Sequence, residues 1–253
     1  MEYDYYNWLL VFLRLGAFLF VLPFFSATNF PVMMRIALGA LMALLLVPML
    51  PPTTFRSATL YSLLGVMAQE ISVGLMIGFV SRMVFYAADL AGNIVATEIG
   101  LNMGSIFNPL SQQSSTVTSN ILFFLAAIVM LTLDLHHWVL VGFQRTYEVL
   151  PIGGAHLTGA LFSTVVGHTS KIFIVALQIS APILAVSFVV TIVFAVLSRA
   201  VPQMNVFILS FPFRIAGGLA VFGFTLQLTA QHVLNYLHKL PDDLLTLAQL
   251  MGG

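Results

Sequence analysis

The stretch DLAGNIVATEIGLNMGSIFNPLSQQSSTVTSN, Asp89 to Asn120, decides how the rest of the chain is read. Its first third carries charges at helical spacing. From Gly100 it turns polar, punctuated by Gly100, Gly104 and Asn108-Pro109 and followed by a Ser, Gln and Thr tract, which are turn and loop signals without a sustained apolar face. A connection of this length is uncommon unless it is disordered or functional. Leu101, Met103, Ile106, Phe107 and Leu110 argue against a purely solvated linker and suit a seal.

Outward from this stretch the chain is oily in both directions. Of its 253 residues 60% are hydrophobic and 7% charged, with a mean hydropathy of +1.02, where a soluble domain has roughly a quarter of its residues charged. Several apolar runs approach the roughly 20 residues that a membrane-crossing helix needs, and the alternating strands of an outer-membrane barrel are absent. An all-α polytopic membrane protein is expected. Nine basic residues balance nine acidic ones without a basic run, so composition points to no nucleic-acid or anionic-lipid surface. With no cysteine there is no disulfide scaffold and no Cys-ligated metal. The acidic, aromatic start MEYDYYNW is not the basic n-region of a signal peptide and reads as the lead-in to a retained helix.

Upstream, helices are expected from Trp8 to about Ser26, from Ile36 to Leu50 and from Leu60 to about Arg82. The second is short enough to be re-entrant. Arg14 interrupts the first, and two readings stand: a guanidinium snorkelling to the interface, or a buried ion pair. In the third, Glu70, Gly74, Gly78 and Ser81 fall within about 80° of one another, placing a carboxylate on a seam of small residues that lets another backbone come close. Glu70 is then either a buried anchor or a proton relay. In the following segment, with Asp89 at zero, Arg82, Asn93, Tyr86 and Thr97 lie within about 80° of it, whereas Glu98 lies about 180° away. The two carboxylates therefore address different partners.

Downstream, Ile121 to Leu133 is apolar and ends in Asp134-Leu135-His136-His137-Trp138. Neighbouring histidines on a helix point about 100° apart and lack the i,i+4 spacing of a metal site, so an interfacial helix end with Trp138 at headgroup level is the expectation. After the break Leu150-Pro151-Ile152-Gly153-Gly154, Lys171 to Leu197 and Val206 to Val233 read as a hairpin, with kinks at Pro182 and Pro212. Arg199 and Arg214 flank its turn and would place it towards the cytoplasm. A short tail helix is expected to begin after Pro241. No nucleotide loop, nucleophile elbow or metalloprotease motif appears, so no catalytic residue, cofactor or metal is assigned.

The chain resembles the FliR family of flagellar export gates, whose injectisome counterparts are the SctT or SpaR proteins. Carrying the resemblance are Leu13-Arg14-Leu15-Gly16-Ala17 with Pro23 and Pro31, Ala91-Gly92, Ile99-Gly100-Leu101-Asn102-Met103-Gly104, Asn108-Pro109, His136-His137-Trp138, Leu150-Pro151-Ile152-Gly153 and Pro202-Gln203-Met204-Asn205-Val206-Phe207. It implies a non-enzymatic subunit of the bacterial inner membrane at the flagellar base. It also implies assembly with several FliP-like and FliQ-like subunits, and with FlhB-like and FlhA-like export components, into a closed gate for unfolded proteins. Residues 1–170 would be the FliP-like part and 171–253 a FliQ-like hairpin with a short tail. The gate of this family protrudes above the membrane plane, so apolar runs can face subunits instead of lipid. A plug loop, at about residues 100–120 here, would include Gly104, Ser105, Ile106, Phe107, Asn108, Pro109, Leu110, Gln112 and Gln113. Arg14, Glu70, Arg82, Asp89, Glu98 and Arg214 would be intramembrane or inter-subunit charges, with Gly74 and Gly78 packing helices. Rival readings are an injectisome gate subunit, a proton-coupled small-molecule transporter using Glu70, Asp89 and Glu98, or an intramembrane enzyme around His136 and His137.

Overall fold

A computed structural model describes residues 5–26, 31–50, 59–102, 116–156, 159–203 and 205–252, which hold helices and turns and no strand. In chain order the helices are α1 (Tyr5–Val21), α2 (Pro23–Ser26), α3 (Val32–Leu46, continued by a 3-10 turn Val47–Met49), α4 (Leu60–Ile99), α5 (Val117–Thr132), α6 (Leu135–Val149), α7 (Gly159–Ala200) and α8 (Val206–Gly252). Among the described residues, four helical segments are long and apolar enough to cross a membrane: Val32–Met49, Leu60–Ile99, Gly159–Ala200 and Ile208–Gly252. The broken pair α5 and α6 supplies a fifth if it counts as one span. The chain is thus an all-α polytopic membrane protein.

Several boundaries differ from the sequence expectation, each for a physical reason. Leu60 to Arg82 and Arg82 to Gly100 are one 40-residue helix, because no proline or glycine pair separates them. The expected tail helix after Pro241 is instead the last part of α8. Leu240, Leu244, Leu247, Ala248 and Met251 are all buried, so one apolar stripe continues through the proline and holds the helix on course. Proline forfeits one hydrogen bond there. α7 likewise runs through Pro182 and α8 through Pro212.

The end of the polar tract is also not loop. Thr116 Oγ1 accepts a hydrogen bond from the Ser119 N–H at 3.1 Å, while Ser119 Oγ accepts one from the Thr116 N–H at 3.1 Å. This reciprocal pair is a capping box with serine in the third helical position, and it starts α5 four residues before the first apolar run. Residues 103–115 lie outside the described residues, and with them all nine residues assigned to the plug, Gly104 to Leu110, Gln112 and Gln113.

The chain divides into two compact units. One comprises Met1–Met83, Leu133–Thr169 and Leu237–Gly253, and the other Val84–Thr132 and Ser170–Tyr236. In the first, α1 pairs with α3 through Gly39, which faces Phe12 and Leu19, and the Trp8 indole N–H donates to the Ala40 carbonyl at 3.2 Å. The end of α8 packs on α6 where Pro241 lies against Gly142, and the Met251 carbonyl accepts from the His156 N–H at 2.7 Å. The second unit begins α5 against α4: Thr118 Oγ1 donates to the Gly92 carbonyl at 2.6 Å. A side chain on Gly92 would overlap the Ser119 backbone, so glycine is what lets the two helices touch here.

Candidate functional site

The core of the first unit is built around a fully buried ion pair between helices α1 and α4. Arg14 and Glu70 both have no solvent exposure. Arg14 Nε donates to Glu70 Oε2 at 2.5 Å and Nη2 to Oε1 at 3.0 Å, the two-pronged geometry that makes guanidinium–carboxylate pairs strong. Of the two readings open for Arg14, the buried pair is the one realised. Its partner lies within the chain, so the pair does not need a second subunit to be neutralised.

Glycines make this pairing possible. A Cβ on Gly74 would run into the Arg14 carbonyl oxygen and come within 2.9 Å of the Ala17 Cβ, and one on Gly78 would come within 3.0 Å of the Phe18 carbonyl oxygen. The backbone of α1 therefore lies directly on the glycine seam that also carries Glu70. Sequence spacing placed all three on one face, as found. Ser81, the fourth member, is buried and spends its hydroxyl on the Ile77 carbonyl at 2.9 Å.

A third element completes the shell. Phe143 of α6 stacks on Phe18 at 4.6 Å between ring centroids, which fixes α6 against α1. One turn on, the Tyr147 ring lies under Arg14, with Cζ 4.2 Å from the ring centroid. The Leu150 carbonyl, at the end of α6, accepts from Arg14 Nη1 at 3.1 Å. A cation is favoured at a helix C-terminus, where the carbonyls lack intrahelical partners. The chain then turns through Gly153, whose φ of 77° lies in the left-handed region that favours glycine. That turn aims the Gly153 N–H at Glu70 Oε1, 2.9 Å away. The Leu150-Pro151-Ile152-Gly153 break is therefore a cradle for the ion pair.

Both carboxylate oxygens of Glu70 are occupied by charged or backbone donors, an arrangement suited to anchoring three segments. The Tyr147 hydroxyl is buried and has no hydrogen-bond partner among the described residues. Tyr147→Phe keeps the ring under Arg14 and removes an unpaired polar group. Stability measured by thermal unfolding of the purified protein should be unchanged or raised by about 1 kcal/mol. A loss above about 2 kcal/mol would show that the hydroxyl is satisfied.

The remaining charges have separate partners. Arg82 Nη1 donates to the Val21 carbonyl at 3.1 Å, at the C-terminus of α1. In the second unit Asp89 accepts from Asn93 Nδ2 at 3.3 Å, on the face counted from the sequence. Glu98, on the opposite side, accepts from Ser187 Oγ at 2.8 Å. Arg214 Nη2 donates to Thr191 Oγ1 at 3.0 Å.

The boundaries of the polar segment are well defined. Gly100 has a φ of 89°, and the Leu101 N–H reaches back to the Ala96 carbonyl at 2.9 Å, the left-handed ending of a helix. Asn102 Nδ2 donates to Thr97 Oγ1 at 3.2 Å. The other boundary is the Thr116–Ser119 capping box. The sequence pattern T-V-T-S could have revealed that cap, but the surrounding Ser and Thr residues masked it.

The chain matches the family described as bacterial export proteins, family 1, over residues 5–240. It is 27% identical to flagellar biosynthetic protein FliR of Pectobacterium carotovorum subsp. carotovorum, covering 97% of this chain and 96% of that one. It is 25% identical to flagellar biosynthetic protein FliR of Escherichia coli K12, over 92% of this chain and 90% of the relative. With FliR of Bacillus subtilis 168 the identity is 28%, over 82% and 81% of the two chains. The family match runs through α1, the glycine seam, the α6 cradle and most of α8, and the chain belongs to the bacterial export proteins, family 1.

Proposed function

We propose that this chain is a subunit of the flagellar type III protein export gate, sited in the bacterial inner membrane at the base of the flagellum. Its role is structural and channel-forming, with no catalytic step. The observation that carries this reading is the end-to-end likeness to flagellar biosynthetic proteins. FliP-like and FliQ-like subunits complete the gate, FlhB-like and FlhA-like components act beside it, and unfolded flagellar proteins pass through. Residues 1–170 form the FliP-like part and 171–253 the FliQ-like hairpin. Many large apolar side chains on α3 and α7, among them Met33, Leu45, Phe173, Phe188 and Val196, are exposed and available to lipid or to such subunits.

Within this reading, the plug loop lies at about residues 100–120, with Gly104 to Leu110, Gln112 and Gln113 as its sealing residues. A seal that must open is better built from small polar contacts and glycine or proline joints than from a packed core. Its two boundaries, the left-handed Gly100 and the capping box at Thr116, tie it to the second unit. The test replaces residues 104–113 with a short Gly-Ser linker and keeps Thr116 to Ser119. The gate should still assemble, and ion leak through the membrane should rise. An assembled gate as tight as the wild type would sink the plug assignment.

The transporter reading requires Glu70 to exchange protons, yet its oxygens are held by Arg14 and the Gly153 N–H. Flagellar rather than injectisome membership is favoured because the relatives quoted above carry flagellar names.

A further inference from the structure

At the start of α6, three potential metal ligands converge outside every contact described so far. Along an ideal helix His136 and His137 diverge, but their rings close to 4.1 Å between centroids. One donor atom from each of Asp134, His136 and His137 lies within 4.8 Å of the others. Asp134 Oδ1 and His137 Nδ1 are 3.6 Å apart. That separation is too long for a good hydrogen bond, but close to the roughly 3.4 Å edge between two ligands of one tetrahedral zinc-type ion with bonds near 2.1 Å.

Two further observations point the same way. Asp134 precedes the helix, where an aspartate ordinarily caps the first N–H groups, yet it makes no capping bond and adopts a left-handed φ of 54°. Apart from its 3.6 Å approach to His137, its carboxylate has no partner among the described residues, and the backbone conformation is one that non-glycine residues adopt at a cost. His136 Nδ1 is shielded from solvent and has no hydrogen-bond partner among the described residues.

We propose that Asp134, His136 and His137 bind a divalent transition-metal ion of the zinc class. Two imidazoles and one carboxylate are a donor set suited to zinc, nickel or copper, and poorly suited to magnesium or calcium, which prefer all-oxygen sites. Asp134 and His137 are exposed, which leaves the fourth position to water. The ion would fix the left-handed turn that begins α6.

The test is Zn2+ titration calorimetry on the full chain without a polyhistidine tag, in detergent, with Co2+ absorption reporting the ligand geometry. One-to-one saturable binding is expected. His136→Gln and His137→Gln should each weaken it at least 10–100-fold, the loss typical even of outer-shell changes. Asp134→Asn should weaken it less, and Mg2+ should not compete. Since all three side chains are at least partly exposed, unchanged thermal unfolding of the metal-free variants will separate lost binding from lost fold. Absence of saturable binding, or equal binding by the His136→Gln/His137→Gln double variant, overturns the proposal. The readout is independent of protein export, so it stands or falls apart from the export-gate reading.

Discussion

Glu70→Leu is expected to lower the unfolding free energy of the purified protein by about 3–5 kcal/mol, because it leaves a fully buried guanidinium without its counter-charge. The same loss is expected for Arg14→Met. Desolvation dominates both: each charge has been taken out of water, and only the other charge and a few hydrogen bonds offset that cost. The double variant Arg14→Met/Glu70→Leu should recover most of the loss, since hydrophobic replacement of a whole buried pair is often neutral or favourable. Recovery will be incomplete, because the Leu150 carbonyl and the Gly153 N–H would lose their partners. Thermal unfolding in detergent measures all three. A Glu70→Leu protein within about 1 kcal/mol of wild type would show that the pair is not what anchors α6 to α1 and α4. Retained stability with lost function would instead favour a proton-relay role for Glu70.

The second large effect concerns the seam. Gly74→Ala should cost more than the 1–3 kcal/mol usual for overpacking, because the new methyl meets the Arg14 backbone oxygen and cannot be accommodated by a side-chain rotation. Moving α1 away to make room would also pull Arg14 from Glu70. Three substitutions on one helix grade the effect. Gly65 has nothing within 4 Å of an added Cβ, so Gly65→Ala should be neutral or gain up to about 1 kcal/mol from helix propensity. Gly78→Ala should fall between, with its nearest neighbours at 2.9 and 3.0 Å. Unfolding midpoints in the order Gly65→Ala above wild type or equal to it, then Gly78→Ala, then Gly74→Ala are expected. A flat series would mean that α1 does not lie on the seam.

Much of this was legible in the sequence because it is local. Helical periodicity put Glu70, Gly74 and Gly78 on one face and separated Asp89 from Glu98, and both hold in three dimensions. Composition alone pointed to membrane helices. Arg14 was ambiguous because its partners are long-range: whether a guanidinium snorkels or pairs depends on Glu70 and Leu150, which no local pattern connects to it. The unbroken α4 and the continuation of α8 through Pro241 are not legible locally, because a proline or a change in polarity reads as a stop, whereas buried side chains on a continuous stripe decide the outcome. Helix geometry describes where the Cβ atoms of His136 and His137 point, and the imidazoles reach beyond that direction to bring their centroids to 4.1 Å.

The wiring of the buried pair also sets an order of events during synthesis. Arg14 emerges 56 residues before Glu70 and 136 before Leu150. At about 5–20 residues per second, α1 waits roughly 3–11 s for its carboxylate. An unpaired arginine at the centre of a lone membrane helix costs about 2.5–3.5 kcal/mol on insertion scales. The ribosome therefore delivers the first helix as a provisional segment. Its arginine gains a counter-charge only when the glycine-lined helix arrives, and the Leu150 carbonyl only when the α6 cradle closes.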